Sequence, residues 1–257
     1  MDSVNKTLYI PLYGKALVSR KGILLQDRKA EEIWEAEGFT LRGKAKSKWL
    51  AYNMGMRSAV FDNWLREKME QIPNAVVIHA GCGMDSRVER VKTNGHLWFD
   101  LDFPEVIDQR KRYYRENEEY KMIASDLRDQ EWLSRIEAGS RVILVMEGVS
   151  MYLSRQELCD LLAAMQSRFA TMDILMDCYT EFGAKASKYK NPVNEVGVTQ
   201  LYGLDDPNVL GIPVVREHDL TPQSMIDELH GFERAFFETM FAGSVAKKIY
   251  RLYEFSC

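Results

Sequence analysis

Four acids in this chain fall at or just beyond the carboxyl ends of successive strand-like runs: Asp85, Asp102, Asp126 and Glu147. The last three are 24 and 21 residues apart, one strand–helix period each. In an open α/β sheet, ligands bind outside those strand ends. Ahead of Asp85, the run Val76-Val77-Ile78-His79-Ala80 breaks into Gly81-Cys82-Gly83. Glycines there let the backbone turn tightly and approach a ligand without a Cβ in the way. The helix start that follows offers unpaired N–H groups. Asp102 lies 21 residues after Gly81, where a carboxylate can accept hydrogen bonds from both hydroxyls of a ribose. A dinucleotide fingerprint needs a third glycine at the sixth position, and here that residue is Ser86. The pattern points to an adenosine-type cofactor without a pyrophosphate and disfavours a nicotinamide-dependent oxidoreductase. Acids that merely cap helices after strands are the alternative, and Asp85 suits it.

The elements that must position these groups can be read from the apolar pattern. Strand-like runs occupy 75–80, 97–101, 120–124, 142–146, 173–178 and 249–255. Most are continuous rather than alternating, as central strands covered on both faces are. Helical patterns separate them. One starts at Ser154, with Glu157 at capping-box spacing, and puts Leu158, Leu161, Leu162, Met165 and Phe169 on one face. Another is expected to open at Thr221-Pro222. Strand–helix alternation over this length predicts a doubly wound α/β sheet. The first seventy residues look mostly helical, with 28–37 and 44–69 as candidates, and read as a cap over the ligand edge of the sheet. The stretch 181–213 is rich in Gly, Pro, Asn and Asp and reads as a substrate-side insertion or a long surface loop. One domain over 1–257 is expected: cap 1–72, cofactor core 73–180, insertion 181–213, and the rest of the sheet 214–257.

Composition narrows the classes. The 257 residues are 46% hydrophobic and 28% charged, with a net charge of −4, an ordinary globular balance. No basic face is evident, which argues against nucleic acid or an anionic membrane as the main partner. No apolar signal core opens the chain and no uncharged run could span a bilayer, so a cytoplasmic location is expected. Cys82, Cys159, Cys178 and Cys257 are scattered, without metal-ligand or disulfide spacing.

Five stretches in order carry a family resemblance: Arg57 in Met56-Arg57-Ser58-Ala59-Val60-Phe61-Asp62, then Ala80-Gly81-Cys82-Gly83-Met84-Asp85-Ser86-Arg87, Trp98-Phe99-Asp100-Leu101-Asp102-Phe103-Pro104-Glu105, Ser125-Asp126-Leu127-Arg128, and Met146-Glu147-Gly148-Val149-Ser150-Met151-Tyr152-Leu153. Over roughly residues 45 to 180 the chain resembles the class I S-adenosylmethionine-dependent O-methyltransferases of the leucine carboxyl methyltransferase group, which includes tetracenomycin-type polyketide methyltransferases. The resemblance implies a mostly parallel seven-stranded, Rossmann-like sheet whose final strand, 249–255, runs antiparallel. It implies S-adenosylmethionine as cofactor and no metal. Arg57 would pair with the methionyl carboxylate, Gly81 would line the cofactor, and Asp102 would hold the ribose. Asp126 and Leu127 would meet the adenine, and Glu147 the methionyl part. Tyr152 would face the acceptor, as its substrate contact and its candidate catalytic residue. The stretch 9–15 resembles the mobile cap of these enzymes, with Tyr13 or Lys15 touching cofactor or substrate; a solvated arm is the alternative.

The expected activity is methyl transfer to a hydroxyl or carboxyl of a small, apolar or aromatic metabolite. An inactive cofactor-binding sensor or scaffold is a second reading, and a protein C-terminal carboxyl methyltransferase a third. Docking regions for a protein acceptor have no clear counterpart here. A carboxylate acceptor needs no base; a hydroxyl does, and none stands out. His79 is read as a buried, satisfied histidine, Cys82 as small-residue packing, and His96, His218 and His230 receive no role. Aromatics at Tyr179, Phe182, Tyr189 and Tyr202 suggest an apolar acceptor pocket walled by 9–15, Tyr152 and 181–204. Deleting residues 1–15 is expected to abolish turnover while sparing the fold.

Overall fold

The computed structural model describes residues 8–41, 43–190 and 200–257. Three helices come first: α1 (Tyr9–Lys21), α2 (Arg28–Glu37) and α3 (Lys48–Gln71). Then come β1 (Val76–Ala80), α4 (Arg87–Val91), β2 (Trp98–Asp102), α5 (Pro104–Arg110), β3 (Tyr120–Ala124), β4 (Arg141–Met146), α6 (Arg155–Arg168), β5 (Thr171–Tyr179) and α7 (Glu181–Lys190). The remainder holds β6 (Val214–His218), α8 (Gln223–Ile226), α9 (Gly231–Phe241), α10 (Gly243–Lys247) and β7 (Tyr250–Ser256).

The strands form one seven-stranded sheet in the order β3-β2-β1-β4-β5-β7-β6. Strands β1 to β5 pair in parallel, and β7 runs antiparallel to both β5 and β6. This is the α/β sheet expected, with its antiparallel member at 250–256. The order reverses between β1 and β4, and a crevice outside the carboxyl ends forms at such a switch point.

Every residue of β1 is buried, which accounts for its continuous apolar run. Its alternate side chains serve opposite faces. Ile78 and Ala80 pack with Leu158, Leu161, Leu162 and Met165 of α6. Val77 packs with Phe61, Trp64 and Leu65 of α3 and Leu12 of α1. Helix α3 is therefore a layer of the sandwich, not only a cover at the ligand edge. Ser154 and Glu157 form the reciprocal capping box that the spacing predicts.

Three elements differ from the sequence reading. The arm at 9–15 is the first half of α1, whose Tyr9, Ile10, Leu12, Lys15, Ala16 and Val18 are buried; it is not a solvated arm. The stretch read as an insertion or loop opens with α7. Strand β6 went unread because its Val-Val-Arg-Glu-His sequence is short and polar and only partly buried.

Candidate functional site

The β1–α4 loop sets the geometry. Gly81 and Gly83 have φ of +63° and +51°, a region that favours glycine. A Cβ on Gly81 would lie 2.3 Å from Val149 Cγ2, so no side chain fits there. The Gly81 and Cys82 N–H groups donate to the Leu101 carbonyl at 2.7 and 3.1 Å. The loop is thereby fastened to β2, whose last residue is Asp102. Asp102 accepts from the Gly83 N–H at 2.7 Å and from its neighbour Phe103 at 2.8 Å. Burial pushes its carboxyl up to about 6, against the pull of those two N–H groups.

A second tie comes from Arg110 of α5, fully buried. Its Nη1 donates to the Gly83 and Asp85 carbonyls at 3.0 and 2.7 Å, and its Nη2 donates to Asp100 on β2. Asp100 also accepts from the Tyr120 hydroxyl at 2.6 Å and the Trp98 indole at 2.8 Å. His79 is buried between Asp100 (3.2 Å) and Arg87 (3.0 Å), and its burial lowers its pKa. Burial raises the Cys82 thiol well above its ordinary range, which leaves it unreactive.

Outside the strand ends lies a cavity of about 420 Å³, within the range of small-molecule sites. Gly81, Gly83, Asp102, Phe103, Val106, Asp126 and Leu127 are in its lining. So are Lys15, Arg57, Asp85, Glu147, Gly148 and Tyr152. The structure thus brings Arg57, Gly81, Asp102, Asp126, Leu127, Glu147, Lys15 and Tyr152 to one wall system. It does not bring Tyr13, whose ring packs against Trp34 at 5.0 Å, away from the cavity. Tyr152 ends a single 3-10 turn, Ser150–Tyr152, rather than opening a helix. Asp126 is engaged by the Arg128 guanidinium and N–H. Phe182 is 63% exposed and outside the cavity lining. The Tyr189 side chain and residues 191–199 lie outside the described residues.

Beneath the cavity runs a chain of charges. Arg57 Nε donates to Glu147 at 3.1 Å and its Nη1 to Asp177 at 3.1 Å and to Tyr250 at 3.0 Å. Glu147 also accepts from Ser58 at 3.0 Å and from Arg87. Arg87 and Arg90 share Asp62 at 2.7 Å each. Arg90 reaches Asp27 at 2.6 Å and Asp85 at 2.8 Å, and Lys15 meets Asp85 at 3.1 Å. Burial alone would raise Glu147, but Arg57 and Arg87 outweigh it and hold that carboxyl down at about 2. Four cations (Lys15, Arg57, Arg87, Arg90) face five carboxylates (Asp27, Asp62, Asp85, Glu147, Asp177) in this set. One negative charge is left over beside the cavity.

The fold recurs among solved methyltransferases. A provisionally assigned methyltransferase of Thermobifida fusca YX superposes with a TM-score of 0.61 at 12% identity, covering 94% of this chain and 93% of its own. The magnesium protoporphyrin IX methyltransferase of Synechocystis PCC 6803, solved with bound SAH, has a TM-score of 0.50 at 12% identity, over 88% and 92% of the two chains. Likeness that distant carries the fold alone. Sequence carries the class further: the chain belongs to the leucine carboxyl methyltransferase family, which it matches over residues 3–166, and it is an S-adenosylmethionine-dependent methyltransferase. The tetracenomycin polyketide synthesis O-methyltransferase TcmP of Streptomyces glaucescens is 27% identical over 213 residues, 82% of this chain and 78% of its own length. The S-adenosylmethionine-dependent methyltransferase dpfgK of Gibberella zeae is 28% identical over 235 residues, with the same coverage.

The residues present fit that cofactor. The surplus carboxylate suits a ligand that carries a sulfonium and an ammonium against one carboxylate. Phe103, Val106 and Leu127 add apolar surface to the lining that holds Asp102. Among the described residues no His/Cys/Asp/Glu group could hold a metal ion. No described helix is long and apolar enough to cross a membrane.

Two partners of Arg57 escaped the sequence reading. Asp177 sits near the carboxyl end of β5, the position that singled out Asp102, Asp126 and Glu147 on the preceding strands, so the same rule taken one strand further finds it. Tyr250 opens β7 and has no local signal at all.

Proposed function

We propose that the chain moves a methyl group from S-adenosylmethionine to the oxygen of a small, largely apolar or aromatic metabolite. The observation that carries this is an apolar and aromatic cluster in the cavity lining, where Met151 and Leu201 pack with Tyr152, Tyr179 and Tyr250. Apolar and aromatic walls with few polar groups are typical of small-molecule sites. The relative named as an O-methyltransferase of polyketide synthesis supports oxygen as the accepting atom.

The residues on the cavity wall suit the roles that the family resemblance implies. Asp102 holds the ribose hydroxyls, the Gly81 backbone lines the cofactor, and Leu127 with Asp126 meets the adenine. Glu147 faces the ammonium and Arg57 the carboxylate of the methionyl part; Lys15 supports that end through Asp85. Tyr152 faces the acceptor. S-adenosylmethionine supplies a methyl group on a sulfonium, a good leaving group, so the protein's task is mainly to align acceptor and donor. A screen of hydroxy-, carboxy-, amino- and thiol-metabolites with isotope-labelled cofactor tests this. Label found only on nitrogen or sulfur acceptors would overturn it.

Asp102 makes the cofactor end testable on its own. Ribose hydroxyls donate to a carboxylate and favour its charged form, so binding lowers a carboxyl that stands at about 6 in the free protein. Affinity is then full above pH 6 and falls with pH below it, by about tenfold per unit at most. Asp102→Ala removes one or two charge-assisted hydrogen bonds, about 1.5–3 kcal/mol each, or at least about tenfold in Kd. It also flattens the pH profile. Calorimetry with S-adenosylmethionine between pH 5 and 8 measures both; a variant that binds like the parent would rule out the ribose role.

A further inference from the structure

A guanidinium carries five N–H bonds, and in Arg57 the protein itself takes up one edge of them. Its Nε donates to Glu147 at 3.1 Å, and its Nη1 serves both Asp177 at 3.1 Å and Tyr250 at 3.0 Å. Among the described residues none accepts from Nη2. That atom lies beside Gly148, where a Cβ would stand 3.4 Å from it. Arg57 thus joins the cavity lining with Nη2 uncommitted and its other nitrogens held.

Asp177 is the partner with ties on several sides. It is fully buried on β5. Its Oδ2 accepts from Arg57, its Oδ1 accepts from the Gly148 N–H at 2.7 Å, and its backbone carbonyl accepts from the Ser150 hydroxyl. Gly148 turns with φ of +73°, and Glu147, Gly148 and Val149 all line the cavity. One carboxylate therefore fixes both the guanidinium and the turn beside which Nη2 lies. Asp177 itself is outside the cavity lining, so it reaches a ligand only through these two groups.

We infer that Asp177 is a positioning residue for the cofactor, holding Arg57 so that Nη2 meets the methionyl carboxylate already aligned. This role rests on the reading that puts Arg57 at that carboxylate. A long side chain left free must be ordered when its ligand arrives, at a cost to affinity, whereas a fixed planar fork presents its donors in a set direction. Tyr250 completes the grip from β7. Its ring meets Tyr179 edge to face with centroids 4.7 Å apart, and its hydroxyl takes the other Nη1 bond. The charge of Asp177 is the lesser influence on S-adenosylhomocysteine. That ligand is a zwitterion, so a nearby carboxylate attracts its ammonium and repels its carboxylate, and the two effects oppose each other.

The test compares two ligands on the full chain by calorimetry at about pH 8, well above the Asp102 carboxyl at about 6. S-adenosylhomocysteine carries the methionyl ammonium and carboxylate; 5′-methylthioadenosine has the same adenosine and sulfur without them. Asparagine at 177 keeps the shape, but its single carbonyl cannot serve Arg57 and Gly148 together. Asp177→Asn is expected to weaken S-adenosylhomocysteine about tenfold, the upper end of the cost of ordering one long side chain on binding. For 5′-methylthioadenosine the change is expected to stay within about twofold, the scatter of independent sites. Tyr250→Phe keeps the ring and removes the other Nη1 acceptor, and is expected to show the same selectivity with a smaller loss. Retained 5′-methylthioadenosine binding shows that a variant is folded. Equal losses for the two ligands would make Asp177 a structural support and overturn the role, as would unchanged or tighter S-adenosylhomocysteine binding. If the asparagine chain does not fold, Tyr250→Phe decides: a selective loss supports the grip on Arg57, and an even loss or none overturns it. Arg57→Lys separates this role from the reading beneath it. A selective loss in Arg57→Lys with none in Asp177→Asn leaves Arg57 at the carboxylate and removes Asp177. An Arg57→Lys variant that binds S-adenosylhomocysteine like the parent removes both.

Discussion

Arg87→Ala is expected to destabilise the fold by about 3–5 kcal/mol, the range for breaking a buried ion pair by removing one partner. Arg87 is fully buried and bonds Asp62, Glu147 and His79, with Asp85 at 3.4 Å. Alanine leaves several carboxylates short of a partner in a medium where solvent cannot replace it. The loss appears as a lower urea midpoint at unchanged slope. The sign with pH follows from Glu147, which stands at about 2 in the fold against about 4.3 in an unfolded chain. Its contribution is fully present above about pH 4.3 and disappears as pH falls toward 2. The gap between parent and Arg87→Ala should therefore narrow in acid. A midpoint shift worth less than about 1 kcal/mol would place the network in the class of weak surface pairs.

Removing residues 1–15 is expected to unfold or strongly destabilise the chain, contrary to what a detachable cap would do. Ile10 and Leu12 are buried and each contributes about 1.5–3 kcal/mol. The Tyr9 ring stacks on Phe39 at 4.0 Å, and Lys15 is the buried partner of Asp85. A loss of roughly 5 kcal/mol would lower the melting temperature by about 10–20 °C in a domain of this size, out of a total stability of about 5–15 kcal/mol. Calorimetric melting of the truncated chain measures it. A melt like the parent's, with activity gone, would restore the lid.

What could be read in advance was whatever a short stretch carries by itself. The glycine loop, Asp102 at the end of the second strand and the Ser154–Glu157 box each declare themselves within about twenty residues, and the buried strands announce themselves as unbroken apolar runs. The charged layer could not be read that way. Asp27, Asp62 and Arg87 are far apart in the chain and leave no periodic trace, so their pairing exists only once the sandwich has formed. Tyr13 misled for a related reason. It lies in the stretch that resembles a cap, but the turn of α1 points it at Trp34 while Leu12 and Lys15 face inward. Strand β6 is an edge with polar side chains, and an edge has no reason to be apolar on both faces.

Strand β7 lies between β5 and β6, and that arrangement separates two histories within one molecule. Strand β6 is next to nothing in the sheet until β7 has docked, so the two join and leave as one cooperative unit. Strands β1 to β4, with the glycine loop and Asp102, are complete without them. Tyr250, at the head of β7, arrives only with that unit. Opening of the β6–β7 edge therefore takes Tyr250 off the cavity wall while the glycine loop and Asp102 keep their places.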